Sequence, residues 1–109
     1  MEQFLLVFRG PPAGASDATP HDGNRWHAWF QQLGAALVDR GKLCSGSVEI
    51  KTRLTGPNIS ADTLHGYSVI AAADFNEAVR LATDCPVFDE EGWVEVAHIE
   101  VPTGETDVR

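Results

Sequence analysis

Gly66-Tyr-Ser-Val-Ile-Ala-Ala-Ala73, followed by Asp74, by Phe75 to Asp84 and by Trp93-Val-Glu-Val-Ala-His-Ile-Glu-Val101, is the stretch that decides the fold. The first segment is short, β-rich at its centre and bounded by Gly66 and Asp74, the profile of a strand covered on both faces. Asp74 ends it and offers a carboxylate to the free N–H groups of a following helix, while Glu77 three residues on completes a pattern like a capping box. Phe75, Ala78, Val79 and Ala82, with Leu81 alongside, recur at helical spacing and form a stripe that must be buried. Pro86 stops the helix, Val87 to Gly92 makes a turn, and Trp93 to Val101 reads as a second strand.

Working outward, Phe4-Leu-Leu-Val-Phe8 is apolar on both alternating faces, as expected of a central strand. Pro11 to Asn24 is rich in Pro, Gly, Ala, Ser and Asp and reads as a long loop, a poorly ordered excursion ahead of a lid. A helix is predicted from about Arg25 to Arg40, with Trp26, Trp29, Phe30, Leu33, Ala36 and Leu37 on one broad face and Gly41 as its stop. Ser45 to Thr52 is read as a third strand, and Thr55-Gly-Pro-Asn58 as the turn that returns the chain to Gly66. The order β, α, β, β, α, β is the ferredoxin-like pattern, an α+β fold with a four-stranded antiparallel sheet and two helices on one face. A single domain over residues 1–101, with the loop at 9–24 and a flexible tail at 102–109, is expected. Two helices cover only one sheet face, so the second needs a partner, most simply a second copy of the chain. A homodimer packed sheet to sheet, burying at least about 1,600 Å² in total, is the expectation.

At 109 residues with 43% hydrophobic content the chain can bury a core, though a small one. Its net charge of -8 disfavours nucleic acid and anionic membrane partners, and no apolar run is long enough to span a bilayer. Met1-Glu-Gln-Phe4 lacks the basic start of a secretory signal, so the cytoplasm is the expected compartment. Cys44 and Cys85 form no C-x-x-C pair and read as buried thiols, with a reactive Cys85 as the weaker alternative. No glycine-rich phosphate loop follows a strand, and the four His have no i, i+4 pair, so neither a cofactor nor a metal is expected.

Phe4-Leu-Leu-Val-Phe-Arg-Gly10, Trp26-His-Ala-Trp-Phe30 leading to Gly41-Lys-Leu43, then Thr55-Gly-Pro57, Gly66-Tyr67, Glu77-Ala78 and Cys85-Pro86 before Val94-Glu-Val96 together resemble the YCII-related, or DGPF-domain, family. The resemblance implies a ferredoxin-like fold that dimerises into a barrel-like assembly. Relatives described as neighbours of extracytoplasmic-function sigma factors imply an accessory or regulatory role. Here the family's Asp-Gly-Pro-Phe signature and its charged run are replaced by Thr55-Gly-Pro-Asn-Ile-Ser-Ala-Asp62, with only Gly56 and Pro57 in common. Some relatives use a His and Asp pair, but by spacing back from Gly41 the His position is Phe30 here, and His27 lies most of a turn earlier. No dyad is carried over.

If the first strand lies antiparallel between the third and fourth, then Arg9, His65, Tyr67 and Trp93 should share one end of the sheet. A cleft there would combine aromatic walls, a His, an Arg and carboxylates. His65 and His98 are the candidate acid–base residues, and Arg9, Tyr67, Trp93 and Trp29 the candidate ligand contacts. Each has a plainer reading. His65 begins a strand and can be merely hairpin-bonded. His98 alternates with Val94 and Val96 and could line the inner cavity of the dimer. Trp26, Trp29 and Phe30 are core first and ligand walls second. Asp89-Glu-Glu91 is most simply a solvated turn. Loss of the charged signature favours a homodimeric small-molecule-binding or regulatory module over the alternative, a cofactor-independent enzyme acting on a small polar or aromatic metabolite.

Overall fold

The computed structural model describes residues 1–11 and 21–100. The Pro11 to Asn24 loop over most of its length, and the tail at 102–109, lie outside the described residues. Strands β1 (Glu2–Gly10), β2 (Leu37–Leu43), β5 (Thr63–Ala72) and β6 (Trp93–His98) build one four-stranded antiparallel sheet in the order β2-β5-β1-β6. Two further two-residue strands, β3 (Val48–Glu49) and β4 (Asn58–Ile59), pair only with each other. Helices α1 (Gly23–Leu33) and α2 (Phe75–Ala82) complete an α+β architecture compatible with a ferredoxin-like fold.

The alternation along β1 shows how the layers stack. Phe4, Leu6 and Phe8 are buried, whereas Leu5, Val7 and Arg9 between them are only half-buried. Phe8 meets Trp26 and Trp29 of α1 edge to face, with ring centroids at 4.9 and 5.9 Å, and Phe4 meets Phe75 of α2 at 5.0 Å. Both helices therefore cover the same face, and Ile70, Ala72, Ala78, Ala82 and Val87 complete its core. No described helix packs on the opposite face, which carries Leu5, Val7, Tyr67 and Val69.

The Asp74 cap is present: its carboxylate accepts from the Glu77 N–H at 2.8 Å, and Glu77 accepts in turn from the Ala73 N–H. The N-terminal helix is shorter than its apolar period suggests. Gly34, at φ 55°, donates its N–H to Phe30 O and ends α1 at Leu33. A 3₁₀ turn, Gly34–Ala36, leads into β2. Leu37 continues the helical spacing but reaches the core from a strand. Gly41 is then no helix stop; it sits in β2 at φ 70°, packed against the Tyr67 carbonyl. The third strand expected at Ser45 to Thr52 reduces to Val48–Glu49, and Val48 and Ile50 are exposed. Its place in the sheet belongs to Leu37–Leu43. No described helix is long and apolar enough to cross a membrane.

Candidate functional site

A one-residue irregularity in the sheet creates the site. β1 and β5 pair regularly from Glu2 opposite Ala72 to Phe8 opposite Gly66, then slip so that Arg9 faces Leu64 and Gly10 faces Thr63. His65 is the extra residue, and it resets the alternation: Thr63 and Ser68, five apart, are both buried. Without the bulge His65 would share the face of Tyr67. With it, the imidazole turns over Gly10, where an added Cβ would lie 2.5 Å from Nε2. Gly66, at φ 147° and tight against Lys42, has the backbone freedom the bulge requires.

Glu90 is the second component. It closes the 3₁₀ turn Pro86–Glu90, after which Glu91 in the left-handed region reverses the chain. Glu90 is only 4% exposed. Its carboxylate accepts from His21 Nδ1 at 2.7 Å, Trp26 Nε1 at 2.8 Å and the Asp22 N–H at 3.3 Å. Three donors compensate the desolvation of the charge, and the start of α1, whose N-cap is Asp22, adds a favourable dipole. The turn is thereby fastened to the helix.

His21 joins the two. Its Nε2 faces Cys44 O at 3.3 Å, and its ring stands edge-on to Trp26 at 5.9 Å and to His65 at 5.3 Å. His65 Nδ1 is buried with no hydrogen-bond partner among the described residues. Burial, and then the neighbouring His21, hold the His65 pKa below its ordinary value, with Glu90 opposing. Beside this group a groove of about 370 Å³ opens between α1 and β2, lined by Trp26, Phe30, Arg40, Lys42 and Leu43 among others. The Arg40 guanidinium lies over the Phe30 ring, 4.9 Å from its centroid. An aromatic wall with two cations suits a small anionic molecule, and the imidazoles next to it suit proton transfer.

The residues expected to gather at one end separate between two faces. Arg9 stands opposite Trp93 and bonds Glu95 at 3.2 Å, and Tyr67 stands opposite Val7; these lie on the face without helices. His65 is on the other side. Trp29 is 2% exposed, in contact with Phe8 and Trp26 and donating its N–H to Leu81 O at 3.4 Å, which makes it a core residue. His98 does share a face with Val94 and Val96, but that face is the helix side. It packs near Phe4 and bonds Glu2 at 2.6 Å, at the opposite end of β1 from Arg9, so it does not line the face available to a sheet-to-sheet dimer. Cys85 is buried, and desolvation pushes its thiol up to about 12, so it is no nucleophile.

Sequence reasoning missed His21 and Glu90. The signal for Glu90 was its spacing: three residues after Val87, it shares a side of a 3₁₀ turn with that fully buried residue. For His21 there was no periodic signal, because it precedes the helix and is held by residues 23 and 69 positions away. No protein-family model matches the chain, and no curated protein matches it.

Proposed function

We propose that this chain is a small-molecule-binding domain that works as a homodimer, with its binding site in the groove between α1 and β2. The observation that carries this reading is the pairing of Arg40 and Lys42 with the aromatic wall of Trp26 and Phe30 in one groove, whose Trp26 is held from behind by the buried Glu90 carboxylate. The ligand class is a small carboxylate or other compact anion with an aromatic or apolar body. A ferredoxin-like, YCII-related domain with an accessory or regulatory role agrees with this, as do two free cysteines in a reducing compartment such as the cytoplasm.

Thermal-shift screening against a panel of aromatic and aliphatic carboxylates tests it. A ligand present at a hundred times its Kd should raise Tm by roughly 10 °C or more. The paired substitution Arg40→Ala and Lys42→Ala should abolish that rise. Shifts that survive it would place binding elsewhere.

A second reading is favoured by His65, whose neutral, unpartnered Nδ1 beside the His21–Glu90 pair is poised to accept a proton. On that reading the domain is a cofactor-independent enzyme, and His65→Gln keeps ligand binding while removing turnover of the same ligand. Turnover retained in His65→Gln would exclude it.

A further inference from the structure

We propose that His21, His65 and Glu90 form a binding site for one divalent transition-metal ion of the zinc class. The three can each present a ligand atom, and those atoms lie within 4.8 Å of one another. An ion with bonds of about 2.0–2.2 Å needs its ligands about 3–3.5 Å apart, so short side-chain rotations close the set. Two imidazoles and one carboxylate are a donor set that such ions favour over the hard cations Mg²⁺ and Ca²⁺.

The surroundings do what outer partners of a metal site do. A ligating imidazole ordinarily donates its second ring N–H to a carbonyl or carboxylate, which fixes the ring and its tautomer. His21 Nε2 has the Cys44 carbonyl at 3.3 Å for that purpose, leaving Nδ1 toward Glu90. Glu90 is arranged alike: Trp26 Nε1–H and the Asp22 N–H hold Oε2, so Oε1 is left to face His21. His65 supplies the third ligand atom, and its Nδ1 is a buried atom that no group among the described residues satisfies. A buried polar atom without a partner needs an explanation, and an ion gives one. The short His21–Glu90 bond is then the metal-free form of the site, with one proton where the ion would sit. Three protein ligands leave room for water or a ligand on the ion.

This goes beyond the anion-binding groove, whose lining includes none of the three ligands, so the test uses the metal alone. The untagged full-length chain, stripped with EDTA, is titrated with Co²⁺ followed by visible absorption and with Zn²⁺ followed by calorimetry. One ion per chain is expected. His65→Ala and Glu90→Gln should each weaken binding at least about tenfold, whereas His98→Ala should leave it unchanged. Glu90→Gln retains an oxygen acceptor for Trp26, and circular dichroism verifies its fold; if it unfolds, His65→Ala carries the test. Absence of saturable binding, or equal affinity in His65→Ala, would overturn the proposal while leaving the groove and its anions untouched.

Discussion

Glu90 shows how far one side chain can organise a small protein. It accepts from one imidazole, one indole and one backbone N–H, all at the start of α1. Glu90→Ala removes every one of these acceptors at once and leaves a buried indole N–H facing a void. Since each lost charge-assisted bond and each unsatisfied donor costs about 1–3 kcal/mol, the substitution should destabilise the fold by about 3 kcal/mol. Glu90→Gln keeps an acceptor for Trp26 and should cost markedly less. Urea denaturation of both variants measures this, and an alanine variant within about 0.5 kcal/mol of the parent would show that the network is incidental. The sequence reading of Asp89-Glu-Glu91 as a solvated turn describes Asp89 and Glu91, both exposed, and fails at the residue between them. Charge says that a carboxylate prefers water; only the three donors brought from a distant segment make its burial tolerable. His65 was legible as a candidate for the opposite reason, since its place at the start of a strand is local. Which way it points depends on a bulge that no local pattern announces.

Elements were legible where caps and periods agreed. Asp74 and Glu77 fix the start of α2 locally, but of the stripe expected to be buried only Ala78 and Ala82 are, while Phe75 and Val79 are about half exposed. α1 was read too long because Ala36 and Leu37 keep the helical period after the backbone has left the helix. β2 was missed because its first half, Leu37 to Arg40, was read as the end of that helix, with Gly41 as the stop. Its position explains its composition: it is an edge strand of the sheet, and edges carry charge that discourages pairing with other chains. Two glycines make the change of element possible, and they should respond differently to substitution. Gly34 adopts φ 55°, ψ -124°, a region nearly closed to other residues, but a Cβ there would meet nothing within 4 Å. Gly34→Ala should therefore cost only the conformational strain, about 2 kcal/mol. Gly41 has a φ of 70° and lies so close to the Tyr67 carbonyl that an added Cβ would collide with it, so strand pairing itself must yield. Gly41→Ala should be the more damaging of the two in thermal melts. The reverse order would mean that the helix end, not the strand, limits stability here.

At the scale of the whole molecule, no described helix covers the sheet face opposite α1 and α2. The expectation of a two-sided sheet came from the apolar Leu5 and Val7 between buried Phe4, Leu6 and Phe8, and the structure sets these on opposite faces. Tyr67 and Trp93 stand on that same face at 37% and 40% exposure. Area decides whether a second copy is an adequate cover. Four strands about 4.8 Å apart, with β5 at ten residues and about 3.4 Å per residue, give a face of roughly 600 Å² in flat projection. A stable interface needs about 800 Å² of accessible surface per partner, which a corrugated face of that size nearly supplies. The β3–β4 ribbon, with Val48, Ile50, Leu54 and Ile59 all more than half exposed, is a further stretch of exposed apolar surface. The homodimer proposed above would use this sheet face. Light scattering after size exclusion should give twice the chain mass of 11.8 kDa at micromolar concentration. Val7→Glu and Tyr67→Glu place carboxylates where two faces would meet and should return the monomer mass with little change in secondary structure. Val79→Ser, at an exposed position of α2 on the helix side, should remain a dimer. A parent chain that is monomeric, or a dimer indifferent to Val7→Glu and Tyr67→Glu, would show that this face is covered in some other way.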